Sequence, residues 1–261
     1  MERKLPFEMP SYDLTGKVAI VTGGTKGLGY GIAVTLAHFG AKVVVTSRHQ
    51  DDCDRVAAEI QEMGGEAFGL KTDVQKVEEI TNLVQKTVEV FGGLDIMVNN
   101  AGVAVTKFVV DNTEEDYDKV LDSNLRSVYF GCQQAAKVMI AQGRGGRIIN
   151  MASIGGLKGS NALATYGATK AAVLNLTKSF AIEWGRYGIT VNSVCPGYII
   201  TDMNREQLTN PDYAAKQLKS IPLKRFGEVK EVAAIVAFLA SDASSIMTGT
   251  QVVADMGATL Q

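Results

Sequence analysis

The chain has 261 residues, 46% of them hydrophobic and 21% charged, with a net charge of −2, which suits a globular protein of one large or two small domains. That charge gives no footing for a nucleic acid or other polyanion, so neither is expected as a partner. Three scattered cysteines (Cys53, Cys132, Cys195) and two histidines (His38, His49) form neither a disulfide framework nor a zinc site; no metal is expected, and the cysteine usage suits a reducing, cytoplasmic setting.

Residues 1–16 mix charges with two prolines and have no apolar core. They read as a surface arm ahead of a 17–261 domain, neither signal peptide nor membrane anchor, and no membrane partner is expected. Lys17 to Thr22 is a short apolar run, as in a strand buried on both faces. Gly23, Gly24, Thr25, Lys26, Gly27, Leu28 and Gly29 follow, then a helical stretch from Tyr30 to Phe39 that stops at Gly40. Strand, glycine-rich turn and helix in that order let the backbone approach a pyrophosphate at a helix N-terminus. The second strand, Lys42 to Thr46, runs into Ser47 and Arg48. Dinucleotide-binding folds place a carboxylate here for the ribose hydroxyls; this chain has none before Asp51. Ser47, Arg48 and Lys26 suit a ribose 2′-phosphate instead, and hence NADP(H).

Asp52 to Met63 is helical in period, Ala67 to Leu70 is a third strand, and Thr72-Asp73-Val74 leads into a helix expected from Val74 to Phe91. A fourth strand, Leu94 to Val98, meets Asn99-Asn100-Ala101-Gly102, small residues that leave room for a flat ligand at a strand's carboxyl end. Thr113 with the acids after it caps a helix expected to run to about Gln142. Asn124 lies inside it, and a buried Asn in a helix usually has a hydrogen-bonding task. The fifth strand, Arg147 to Met151, leads to Ser153.

Tyr166 and Lys170 stand four apart on the next helix, expected from about Thr165 to Tyr187, so both side chains share one face. An ammonium one turn from a phenol is expected to lower the phenol's pKa, and Ser153 is placed to hydrogen-bond a carbonyl oxygen beside it. A sixth strand, Gly188 to Val194, ends at Cys195-Pro196-Gly197. Residues 201–225 break the alternation with an apolar-flecked helical insertion that includes Met203, Leu208, Tyr213, Leu218 and Ile221. Such a segment, 198–225 with its approach, is placed to cover a substrate, although a surface helical hairpin fits equally well. A helix from Glu228 to Ala240 and a strand from Thr250 to Ala254 close the chain. Seven strands alternating with helices give an α/β fold: one doubly wound parallel sheet with helices on both faces, in a single domain.

From Lys17 to Gly257 the chain resembles the short-chain dehydrogenase/reductase family, a Rossmann-fold group. The match is carried by the loop from Thr22 to Gly29, Asp73, Asn99 to Gly102, Asn124, Ser153, Tyr166-x-x-x-Lys170 and Pro196-Gly197. The resemblance implies that Tyr166 is the acid/base, Ser153 orients the carbonyl, Lys170 binds the nicotinamide ribose and Asn124 holds a water in a proton relay. It further implies that Asp73 and Val74 meet the adenine, Asn100 the nicotinamide side, and Ile199 and Thr201 the carboxamide. A homotetramer is implied as well. Two departures stand out. Asp255-Met256-Gly257 replaces the Asp-Gly-Gly of many relatives, a change expected to be neutral. Tyr187 stands where relatives that reduce carrier-bound 3-oxoacyl groups often carry arginine, which weakens the carrier-protein reading without excluding it, since Arg144 is a further candidate for that surface.

The leading expectation is therefore an NADP(H)-dependent oxidoreductase interconverting a ketone and a secondary alcohol on a small molecule: a hydroxysteroid, a polyol or sugar, or another ketone. A 3-oxoacyl-(acyl-carrier-protein) reductase is the alternative. A dinucleotide-binding sensor without turnover is the third, and the full Asn124, Ser153, Tyr166, Lys170 set argues against it. The apolar residues of 201–225 lean towards a bulky apolar substrate.

Overall fold

The computed structural model describes residues 9–202 and 204–260. Nine strands and nine α-helices alternate through them. They begin β1 (Val18–Thr22), α1 (Gly27–His38), β2 (Lys42–Ser47), α2 (Gln50–Glu62), β3 (Glu66–Lys71), α3 (Val77–Phe91) and β4 (Ile96–Asn99). The middle of the chain gives α4 (Glu114–Leu121), α5 (Ser127–Gln142), β5 (Gly146–Met151), α6 (Ala164–Trp184) and β6 (Ile189–Pro196). The last part holds β7 (Ile199–Ile200), α7 (Arg205–Thr209), α8 (Pro211–Leu218), β8 (Gly227–Glu228), α9 (Val229–Ala240) and β9 (Gln251–Ala254).

Seven strands form one parallel sheet in the order β3-β2-β1-β4-β5-β6-β9. Alternation along the strands divides the core. Ala19, Val21, Val43 and Val45 pack with α1, α2 and α9 on one face, while Ile20, Val44, Met97 and Ile148 pack with α3, α5 and α6 on the other. The strand order reverses between β1 and β4, which opens a crevice at their carboxyl ends. The glycine loop lies on one side of that crevice and Asn99 to Gly102 on the other.

The expected elements are present with shifted bounds. The first helix begins at Gly27, inside the glycine motif. The third begins at Val77 rather than Val74, because Asp73 Oδ1 accepts the Gln75 N–H and Glu79 reaches back to the Asp73 N–H, closing a turn first. The helix expected from 114 to 142 is divided by a π-turn, Asp122–Arg126, and Asn124 lies within it. Residues 201–225 fold as two short helices. A two-stranded ribbon, β7 with β8, which the sequence did not lead us to expect, joins the two ends of that segment.

Residues 9–16 of the expected arm lie along α1 and α9. Leu14 is buried and donates its N–H to the Phe39 carbonyl, and the Tyr12 ring lies near those of Phe39 and Phe238. The rest of the arm, residues 1–8, and Met203 fall outside the described residues.

Candidate active site

Thr22 at the end of β1 organises the floor of the crevice. Its hydroxyl accepts the N–H groups of Asn100 (2.9 Å) and Ala101 (3.0 Å). The Asn100 amide nitrogen donates back to the carbonyls of Thr22 (2.8 Å) and Gly23 (3.2 Å). Asn100, expected on the nicotinamide side, is thus placed as the clasp of the glycine loop. The loop itself tolerates no bulk: a Cβ on Gly29 would lie 2.1 Å from the Gly23 carbonyl oxygen, and Gly23 and Gly27 have φ of +63° and +54°. Lys26, the N-cap of α1, makes no side-chain cap, so the first N–H groups of that helix face the crevice without a capping partner. A bare helix start above a close-packed glycine turn fits a pyrophosphate. Thr201 meets the same turn, its Cγ2 3.6 Å from where a Cβ on Gly27 would sit, and Ile199 is buried beside it.

Lys170 is buried at 4% exposure and donates to the Met151 carbonyl at the end of β5, 2.7 Å away. Its ammonium lies 5.7 Å from the centroid of the Tyr166 ring. Burial pulls its pKa down to about 8, with Cys195 nearby opposing that shift. Burial also raises the Tyr166 pKa, and the Ser153 hydroxyl beside it works the other way. The expected lowering of the phenol by Lys170 is therefore not found. Removing both groups from water penalises phenolate and ammonium alike. Tyr166 and Ser153 flank Gly155: a Cβ there would lie 3.4 Å from Tyr166 Cε1 and 3.5 Å from Ser153 Oγ. Ser153 Oγ accepts the Gly155 N–H at 3.0 Å, which leaves its own proton free to donate.

Asn124 is fully buried in the π-turn. Its amide nitrogen donates to the Val103 carbonyl (2.8 Å) and to Thr169 Oγ1 (3.3 Å), and its oxygen accepts the Val103 N–H (2.8 Å). A Cβ on Gly102 would sit 3.0 Å from Asn124 Oδ1 and 3.6 Å from Lys170 Nζ, so these two expected residues share one small space.

A basic corner closes the other end. Gly24 donates to the Thr46 carbonyl, hanging the glycine loop over the end of β2. Ser47 receives support from Cys53 of α2, whose sulfur accepts the Ser47 N–H at 3.1 Å. Lys26 and Arg48 are exposed, with no ion pair among the described residues. Asp73, half-buried at the end of β3, and Val74 in the following turn border this corner through the Thr72 N–H, which donates to the Ser47 carbonyl. Arg55, which sequence reasoning passed over, reaches in from α2 and donates to the Thr25 carbonyl at 3.2 Å. Its only sequence signal is the i,i+4 spacing to Glu59.

Residues 23–259 match the family model described as enoyl-(acyl carrier protein) reductase. A 3-oxoacyl-(acyl-carrier-protein) reductase FabG of Staphylococcus epidermidis is 41% identical over 234 residues, 89% of this chain and 95% of that protein. The 2-dehydro-3-deoxy-D-gluconate 5-dehydrogenase of Escherichia coli is 36% identical over 251 residues, 95% of this chain and 98% of that one. A solved gluconate 5-dehydrogenase of Burkholderia cenocepacia, in complex with NADP and tartrate, superposes with a TM-score of 0.91 at 32% identity, over 96% of this chain and 98% of that one. The chain belongs to the short-chain dehydrogenase/reductase family.

Membership in this family of oxidoreductases gives the two departures a structural setting. Arg144 makes a two-pronged pair with Asp95 (2.9 and 3.2 Å), and Tyr187 lies under the Arg186 guanidinium. Met256 adopts φ +57°, the left-handed region where a side chain is disfavoured by about 1–2 kcal/mol, so the departure from glycine is not neutral for the backbone. In the 198–225 segment, Leu208 and Ile221 are buried. No helix of the described residues is long and apolar enough to cross a membrane.

Proposed function

We propose that the protein is an NADP(H)-dependent oxidoreductase that interconverts a ketone and a secondary alcohol on a free small molecule in the cytoplasm. The observation that carries this reading is the meeting of Tyr166, Ser153, Lys170 and Asn124 around Gly102 and Gly155, at the crevice mouth beside the glycine loop. Bound there, the nicotinamide supplies or accepts the hydride. The residues of this chain supply the proton and the placement. Tyr166, a phenol whose burial favours its neutral form, gives its proton to the carbonyl oxygen in reduction. Ser153, whose oxygen already accepts the Gly155 N–H, donates its own hydrogen to that same carbonyl oxygen. Lys170, fixed on the Met151 carbonyl, holds the nicotinamide ribose and a positive charge beneath the phenol. Asn124, fixed in the π-turn by its side-chain hydrogen bonds with Val103 and Thr169, holds a water in the proton relay. Lys26, Ser47 and Arg48 receive the 2′-phosphate, Asp73 and Val74 border the adenine, Ile199 and Thr201 meet the carboxamide, and residues 198–225 cover the substrate.

A reductase of carrier-bound 3-oxoacyl groups is the second reading, favoured by the 41% identity to the staphylococcal FabG. Against it stand Tyr187 where such relatives often present arginine and the pairing of Arg144 with Asp95. The test offers acetoacetate esterified to acyl carrier protein, an acetoacetyl thioester without the carrier, and a 5-oxo sugar acid, each with NADPH. Faster turnover of the free ketones supports the first reading; a strong preference for the carrier-borne chain establishes the second.

The same proposal includes a homotetramer. An apolar groove of about 520 Å³, lined by Leu125, Tyr129, Phe130 and Leu176 among others, runs along α5 and α6. A second copy of the same face would cover it.

A further inference from the structure

The inference drawn here rests on the reading of the cofactor as NADP(H) and concerns α2, which the family motifs leave out. Cys53 fastens α2 to the end of β2 through the Ser47 N–H, and Arg55 stands two residues further on. From there its Nη2 donates to the Thr25 carbonyl at 3.2 Å, next to Lys26, while Nη1 pairs with Glu59 Oε1 at 2.7 Å. Tyr30 of α1 also faces that Glu59. Arg55 is half exposed, as is a third of Glu59, so both are in reach of a ligand at the surface. Three cations, Lys26, Arg48 and Arg55, thus gather at one corner, and one of the three is held against a carboxylate.

We propose that Arg55 is a further determinant of selectivity for a 2′-phosphorylated dinucleotide, and that Glu59 opposes it. Arg55 acts twice. Its donor fixes the Thr25 carbonyl and so the turn that presents Lys26, and its charge adds to the potential that a phosphate dianion meets. Glu59 orients the guanidinium but cancels part of that potential, since its carboxylate is paired directly with the cation, 2.7 Å from Nη1. Removing either side chain should therefore change phosphate binding in opposite directions. A loop clamp without electrostatic function cannot produce that sign reversal.

The experiment is calorimetric titration of the full chain with adenosine 2′,5′-bisphosphate and with adenosine 5′-monophosphate, at low and moderate salt. Wild type should bind the bisphosphate more tightly. Arg55→Gln should weaken the bisphosphate by about 3- to 20-fold and the monophosphate by clearly less, through the loosened turn alone, with a shallower salt dependence for the bisphosphate. Arg55→Lys should recover part of the loss, and Glu59→Gln should strengthen the bisphosphate by about two- to fivefold. Equal weakening of both ligands by Arg55→Gln, or no change in either, would overturn the role assigned to Arg55. Weakening by Glu59→Gln would overturn the opposition. A wild type that binds the two ligands alike would overturn the cofactor reading, and the role of Arg55 with it.

Discussion

At the residue scale, burial dominates the chemistry of Tyr166 and Lys170. Spacing alone shows that the two side chains share a helix face; it does not show that both are removed from water, so it misjudges the direction of the phenol's shift. The Lys170 ammonium should titrate near pH 8 in the free protein, well below the ordinary 10.5, as read from the side-chain carbon shift in an NMR titration. Stability should follow. Below about pH 8 the group is charged folded and unfolded, and burial counts against the fold in full. Between about 8 and 10.5 only the unfolded chain still binds the proton, so stability rises with pH through that window. Wild type should gain on Lys170→Met in thermal melts across it; a constant difference would contradict the shift. At the basic corner, Arg48→Ala should lower kcat/KM for NADPH by roughly 10- to 150-fold, the value of a charge-assisted hydrogen bond, and leave NADH almost unaffected. Ser47→Asp should move preference towards NADH by repulsion. Equal losses for both cofactors in Arg48→Ala would remove Arg48 from phosphate recognition.

At the scale of elements, most of the sheet was legible in the sequence because buried parallel strands announce themselves as short apolar runs. Helix bounds were less so. The turn at Asp73 to Lys76 is decided by side chains reaching back to the backbone, and the π-turn by hydrogen bonds from Asn124 to a loop distant in sequence. Neither leaves a periodic mark. A helix-interior Asn was the one visible sign of the second. Beneath the site, Asn150 of β5 joins three elements: its oxygen accepts from Asn99 (2.9 Å) and from Cys132, and its nitrogen donates to Thr177 of α6 at 3.0 Å. All four groups are buried. Asn150→Leu should therefore cost about 2–4 kcal/mol, since it removes the Asn150 bonds of Asn99, Cys132 and Thr177 inside the buried core, leaving Asn99 with Cys132 and Thr177 with Val173 only, and urea denaturation would register the loss as a lower midpoint at unchanged slope. A cost within about 0.5 kcal/mol would mean the network is dispensable.

At the scale of the molecule, the sequence pointed to assembly only through resemblance, and the proposed homotetramer would use the apolar groove along α5 and α6. Tyr129 in the apolar groove is 40% exposed, its ring 5.6 Å from that of Phe180. Light scattering should give a particle larger than the monomer, and Tyr129→Glu should shift it to smaller species by placing a charge in the groove. A monomer at micromolar concentration would contradict the assembly. What holds the whole reading together is that fold, glycine loop and polar cluster all converge on the carboxyl ends of β1, β4 and β5. The measurement that addresses this most directly is oxidation of NADPH by wild type and Tyr166→Phe against steroid, sugar and acyl-thioester ketones, alongside NADPH binding by both proteins. Wild type should consume NADPH with at least one of these ketones. Tyr166→Phe should bind NADPH as wild type does and turn over at least about 10²-fold more slowly. A Tyr166→Phe enzyme that keeps more than about a tenth of wild-type turnover would contradict general acid catalysis by Tyr166.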